Sequence, residues 1–199
     1  CKSMKIQVLG PDVNESQYKF SVNKKGNIRF GLGAIKGVGD SAVQAIVKER
    51  EANGPYKGIF DFVERVNLSA CGKKTIESLA ISGAFDSFKE IHREDFTALN
   101  SKGEIFLETL VRYGVKVQND KMSQATSLFG SVAPIVTTPP EIPRGVPLSD
   151  IERLDKEREL VGMYLSAHPL DAYKLELLYG CNTRMTDLKD RESLLNKEL

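Results

Sequence analysis

Residues 36–41, Lys-Gly-Val-Gly-Asp-Ser, combine the types and spacing that can receive an anion. Two glycines on either side of one small apolar residue let the backbone reverse tightly and approach a partner closely. An amphipathic helix follows at once, with Ala42, Val43, Ala45, Ile46 and Val47 as its apolar positions. Asp40 and Ser41 suit the N-cap or first turn of that helix. The first amides of a helix have no partner within it and lie at the positive end of its dipole. A phosphate is the natural guest of Gly37, Val38, Gly39, Asp40 and Ser41, with Lys36 adding a charge. The same spacing also fits a plain tight turn between two packed helices.

The elements around this turn must hold it in place. Met4–Leu9 alternates loosely and stops at Gly10-Pro11-Asp12, which predicts a short strand. Residues 18–22 and 28–30, joined by the turn-rich Asn23–Asn27, predict a β-hairpin that feeds the Gly-Val-Gly turn. Lys24, Lys25 and Arg29 form a small basic cluster there, either solvated surface or an aid to backbone binding. The helix after the turn should run from about residue 40 to 52, with Lys48–Glu51 as its solvated end. Further helices are expected over 59–66 and 75–82, joined by a loop containing Gly72, Lys73 and Lys74. Helix, short loop, helix thus occurs twice, and the second loop reads as a degenerate copy of the first. A third helical region, 92–113, carries Phe96, Leu99, Phe106, Leu107, Leu110 and Val111 as its inward stripe.

Polar residues dominate 114–123, and 132–147 holds Pro134, Pro139, Pro140, Pro143 and Pro147. Residues 114–148 therefore read as an extended linker. One apolar island, Ser127-Leu128-Phe129 preceded by Gln124, interrupts it. It either docks back on its own domain or orders on a partner. Ser149-Asp150-Ile151-Glu152 reads as a capping box that opens a helix to about Leu165. His168, in a helix-breaking turn before Pro169, has no nucleophile–base partner nearby and reads as structural.

Composition narrows the classes. The chain has 199 residues, 41% hydrophobic and 28% charged, the range of a soluble globular protein. A net charge of +1 means that nucleic-acid contact must come from local placement of Lys and Arg. Cys1, Cys71 and Cys181 are odd in number and scattered, which favours a reducing compartment over a disulfide scaffold. With only His92 and His168 and no Cys-x-x-Cys pair, a zinc site is not expected. No apolar run reaches membrane-spanning length. The chain begins at Cys1, inside what reads as structured sequence, as a piece of a longer chain would.

The Ile-Lys-Gly-Val-Gly turn with its helix resembles the helix-hairpin-helix motif of DNA-binding proteins. The resemblance extends along the chain in P-D-V-N at 11–14, I-R-F-G-L-G-A-I-K-G-V-G at 28–39 and F-D-F-V-E-R-V at 60–66. It continues in S-G-A-F-D at 82–86, S-L-F-G at 127–130 and E-R-E-L-V-G-M-Y-L-S-A-H-P-L at 157–170. In this order the pieces resemble the bacterial DNA polymerase III alpha subunits, the replicative C-family polymerases. The resemblance implies a mainly α fold: a tandem helix-hairpin-helix domain with a short N-terminal β-hairpin, then a Pro-rich linker and further helices. It implies the end of the fingers at 1–30, tandem hairpins at 31–113, a clamp-binding linker at 114–148 and helices leading toward an OB domain at 149–199.

The partners implied are double-stranded DNA bound without sequence preference, the bacterial sliding clamp and other replicase subunits, in the cytoplasm and away from membranes. Gln124, Ser127, Leu128 and Phe129 resemble the clamp-binding motif. One extra residue separates Gln124 from Leu128-Phe129 relative to the usual five-residue form, so the Leu-Phe pair carries the match. The family's catalytic aspartates and their Mg2+ belong to a palm upstream, and no carboxylate constellation here corresponds to them. This stretch is then expected to be catalytically silent and without a cofactor of its own. Competing readings are a helix-hairpin-helix glycosylase or nuclease and a pure protein-interaction scaffold. The first places a catalytic lysine or aspartate soon after the hairpin, in a Gly/Pro-rich segment ending in Asp, and Asn53-Gly54-Pro55 is followed by Tyr56-Lys57 with no aspartate at that distance.

Overall fold

The computed structural model describes residues 6–126 and 137–180. Two compact units divide the chain, 1–166 and 167–199. The first opens with three two-residue strands: β1 (Val8–Leu9), β2 (Ser21–Val22) and β3 (Ile28–Arg29), in the order β1-β3-β2. β2 and β3 form the expected antiparallel hairpin, with Val22 opposite Ile28, and β1 adds in parallel with Val8 opposite Ile28. From β3 the chain passes through a single 3-10 turn, Leu32–Ala34, into the Gly-Val-Gly reversal.

Helices α1 (Asp40–Asn53), α2 (Ile59–Arg65), α3 (Lys73–Ile81), α4 (Phe106–Thr126) and α5 (Asp150–Val161) make up the rest of this unit. Their apolar stripes close on one core that includes Phe30, Leu32, Ile46, Phe62, Ile76, Leu79, Phe96 and Phe106. Phe85 stacks on Phe88 and Phe96 and meets Phe62 edge-on, so the aromatic cluster ties α2 to the segment after α3. Burying each such ring stabilises by roughly 2–3 kcal/mol, which fixes the helices against each other.

Four features differ from the pattern in the sequence. Arg50 is buried rather than solvated: its guanidinium donates to the carbonyls of Val13, at 2.8 Å, and Ser16, at 2.9 Å. Helix α1 thereby holds the loop around Pro11-Asp12-Val13-Asn14, and burial pulls the Arg50 pKa below its ordinary value. Residues 93–97 form a separate 3-10 turn, and Leu99, expected inside, is 62% exposed. Residues 114–126 continue α4, where a linker was expected. Gln118 there donates to the carbonyls of Val63 and Val66, both at 2.8 Å, and Val117 packs on the core. Finally, the Pro-rich stretch from 137 to 148 carries no helix but is fixed to the body. The carboxylate of Asp95 accepts from the Gly145 amide at 2.8 Å and from Arg144 at 3.0 Å, and Ile142 packs against the core.

The capping box at α5 is formed: the Glu152 amide donates to Ser149 Oγ, and the Glu152 carboxylate accepts from the Ser149 amide. Gly162, at φ 82°, ends this helix in the left-handed region. In the second unit, a 3-10 turn at Pro169–Tyr173 leads into α6 (Lys174–Tyr179). His168 caps that turn, its Nδ1 accepting from the Leu170 amide, which fits its structural reading. Residues 181–199, the end of the helical region expected over 149–199, lie outside the described residues. Among the described residues no helix is long and apolar enough to cross a membrane.

Candidate nucleic-acid interface

The turn is anchored from beneath and open above. Val38 and Ile35 are buried, while Lys36, Gly37, Gly39, Asp40 and Ser41 are exposed. The Val38 amide donates to the Ile35 carbonyl at 3.1 Å, closing the reversal, and Gly37 takes φ 89°. That left-handed value is where glycine is favoured. The Lys36 amide donates to the Leu160 carbonyl at 2.9 Å, so the last turn of α5 braces the reversal from the side.

Helix α3 provides a second start beside the first. Its N-cap is Gly72, with φ −69° and ψ 174°, and the N-cap of α1 is Gly39, with φ −82° and ψ 163°. The two loops thus enter their helices with nearly the same backbone. Cys71 Sγ lies 3.5 Å from the Ala42 carbonyl, and Thr75 Oγ1 lies 3.5 Å from the Gly37 carbonyl. The first turns of α1 and α3 therefore stand side by side, with Lys73 and Lys74 occupying in α3 the positions that Asp40 and Ser41 hold in α1. Burial raises the Cys71 thiol to about 12, so this cysteine is an inert packing group between the two starts.

How the starts are capped sets them apart. The first amide of α2, on Ile59, donates to Glu90 Oε1 at 2.9 Å, and α5 is capped by Ser149. Neither α1 nor α3 receives a side-chain cap. Among the described residues, the amides of Gly37, Gly39, Asp40 and Ser41 and those of Lys73, Lys74 and Thr75 have no protein acceptor. Two positive helix ends, side by side and without carboxylate caps, can take two neighbouring phosphates.

Each residue singled out in the sequence has a definite setting. Asp40 does not cap its own helix: its carboxylate accepts the Tyr18 hydroxyl, and this raises the Tyr18 pKa above its ordinary value. The Tyr18 ring in turn covers Gly33, where a Cβ would come within 2.6 Å of it. Lys36 and Lys74 are exposed, with no ion pair among the described residues. Lys73 is paired with Glu108 at the start of α4. Arg29 is turned inward, donating to the Gly10 carbonyl at 2.8 Å and pairing with Glu15. Lys24 and Lys25 are exposed on the turn before β3, at the opposite end of that strand from the Gly-Val-Gly reversal. Ser127, Leu128 and Phe129 lie outside the described residues, and Gln124 falls in the last turn of α4. Tyr18, Thr75, Ser78 and Glu108 carried no sequence signal of a place at the reversal, because each joins it through tertiary packing.

Comparison with known proteins identifies the motif and the family. The helix-hairpin-helix motif family matches residues 5–96. The DNA polymerase III subunit alpha of Haemophilus influenzae is 37% identical over 192 residues, covering 94% of this chain and 16% of that protein. Its counterpart in Pseudomonas aeruginosa is 32% identical over 198 residues, covering 95% of this chain and 17% of the relative. The one in Chlamydia trachomatis is 42% identical over 176 residues, covering 85% and 13%. The chain thus spans about one-sixth of the length of the first two relatives. With these identities over most of its length and the helix-hairpin-helix match, the chain belongs to the family of DNA polymerase III alpha subunits.

Proposed function

We propose that this stretch holds duplex DNA by its backbone and serves the template-directed synthesis that the names of its relatives denote. The observation that carries this reading is the pair of adjacent, uncapped helix starts at Gly39 and Gly72, beside the exposed Lys36 and Lys74. Contacts to phosphates position a protein on DNA without reading sequence, which suits a polymerase that must copy any template. The chemistry of nucleotide addition is proposed to lie in a palm upstream of this stretch, as the resemblance to the replicative polymerases implies. No step through Mg2+ is therefore assigned to these residues.

Leu128 and Phe129, with Ser127 and Gln124 before them, are proposed as the tether to the sliding clamp, on the motif alone. A tether raises the effective concentration of polymerase at the primer end without new chemistry. Deleting Leu128-Phe129 should abolish capture of the chain by the bacterial clamp; unchanged capture would reject this role.

Ser41→Asp combined with Lys74→Glu tests the helix starts. Both changes place a carboxylate at the second position of a helix, where the dipole favours it, so the melting temperature should not fall. A phosphate would be repelled by each, so anisotropy with a labelled duplex should show affinity lower by about tenfold or more at low salt. Unchanged affinity in the folded variant would reject the helix starts as the phosphate site.

A further inference from the structure

At the far end of α3 from the paired helix starts, the structure forms an open groove of about 410 Å³. The C-terminal residue of α3, Ile81, lines it, and Leu99, Val146 and Leu148 are the other large aliphatic side chains in its lining. Leu99 is 62% exposed and Val146 is 86% exposed, so two large aliphatic side chains stand in solvent at the rim. The Asp95 carboxylate holds the Val146 strand in place through its bonds to Arg144 and Gly145. A Cβ on Gly145 would come within 2.4 Å of the Glu94 carbonyl, so the strand is pressed against the 3-10 turn that carries Thr97 and precedes Leu99. The groove is thus shaped by fixed backbone on both sides.

Its charge is one-sided. Arg93, Arg144, Arg153 and Lys156 line it, against the single carboxylate of Glu94. The chain as a whole is nearly neutral, at +1, so this is a local concentration of cations. Arg153 and Lys156 are three residues apart on α5 and thus share one helix face. Lys156 has no ion pair among the described residues; Arg153 pairs with Asp150 at 3.2 Å and Arg144 with Asp95 at 3.0 Å, while Arg153 Nε is shielded from solvent without an acceptor. Arg93 is held by Asp86 and Glu157 and supplies fixed charge rather than a free contact.

We infer that this groove binds an acidic peptide segment of a partner protein, with one large apolar side chain seated between Leu99, Val146 and Leu148 and flanking carboxylates on Arg144, Arg153 and Lys156. Apolar walls at the centre with charges around them are the anatomy of a peptide anchor site. A DNA backbone fits less well, because the aliphatic walls at the centre of the groove offer phosphates nothing. α3 has nine residues, and at 1.5 Å each about 13 Å separates its two ends, so both surfaces can be occupied together. The inference is independent of the DNA reading.

The test uses the full chain and fluorescein-labelled short peptides, each with one Leu, Ile, Phe or Met flanked by Asp and Glu. At least one peptide should bind with Kd below about 1 mM, more weakly as salt rises. Its counterparts with Ala in place of the apolar residue, or Asn and Gln in place of the acids, should bind at least about tenfold more weakly. Arg153→Glu with Lys156→Glu, and separately Leu99→Asp, should each reduce peptide affinity about tenfold while leaving duplex binding and melting temperature unchanged. All three positions are at least partly exposed, so the folded state should survive. The inference is overturned if no peptide binds, if the Ala or Asn/Gln controls bind equally, or if an oligonucleotide displaces the peptide from wild type and fails to bind the Arg153→Glu/Lys156→Glu protein.

Discussion

A Cβ built on Gly37 would stand 2.6 Å from Ser78 Oγ. The reversal that ends at α1 is therefore seated directly on α3, and Ser78, nearly fully buried, is the surface it sits on. A larger residue at either position would separate the two helix starts.

Gly37→Ala should cost about 1–3 kcal/mol of stability, from the left-handed φ of 89° and the contact with Ser78. Ser78→Ala in the same chain should recover the steric part and leave the backbone part. Urea unfolding of the two single variants and the double variant measures the coupling; strictly additive effects would mean that Ser78 does not bear on Gly37.

Lys74→Ala should lower duplex affinity and reduce the slope of log affinity against log salt by about 1. Lys73→Ala should do less, because Lys73 is paired with Glu108. Glu108→Gln frees Lys73 and removes a carboxylate from the same face, so it should raise affinity by about two- to threefold. Anisotropy titrations across a salt series check all three.

Arg50→Met should lose about 2–4 kcal/mol, since it strands the Val13 and Ser16 carbonyls that the guanidinium satisfies. The loss should appear as early amide exchange around residues 12–16. Asp95→Ala should release the strand at Arg144-Gly145, leaving the Gly145 amide without its acceptor, and cost about 1–3 kcal/mol. Protease cleavage between 137 and 148 in the folded protein would report that release.

The Cys71 thiol and the Tyr113 phenol are both raised to about 12, the first by burial and the second by burial and its bond to Glu64. Folding thus favours their protonated forms. Their contribution to stability is full below the ordinary thiol and phenol values, about 8.5 and 10, and is lost as pH rises from there toward 12. Urea midpoints should fall across that window, and less steeply in Cys71→Ala. In a Cys1→Ser, Cys181→Ser background, Cys71 should resist a thiol reagent at about pH 8 until the chain unfolds.

Much of this was legible in residue order. The Gly-Val-Gly reversal, the helix behind it, the β-hairpin before it and the Ser149 capping box are local devices. Each is specified by residues within a few positions of one another, so a linear pattern suffices. Gly72-Lys73-Lys74 was legible as a second, weaker copy for the same reason. Leu99 misled because its helical spacing is set in a segment where the chain turns through a 3-10 turn and a single bridge to Ile105 instead.

Charge was the part that tertiary structure decided. Arg29, Arg50, Lys73 and Lys74 read alike as surface cations in sequence. Packing hands Arg29 to Glu15 and Gly10, Arg50 to two carbonyls and Lys73 to Glu108, all from residues distant along the chain, and leaves Lys74 exposed. Likewise, the Pro-rich stretch reads as a linker because proline removes amide donors and blocks helix. Its Arg144 side chain and Gly145 amide are held by Asp95, about 50 positions away. Residue order alone settles where the chain reverses and which helix follows. Which cations and which helix starts stay open to a partner depends on long-range hydrogen bonds, and only the fold brings those groups within reach.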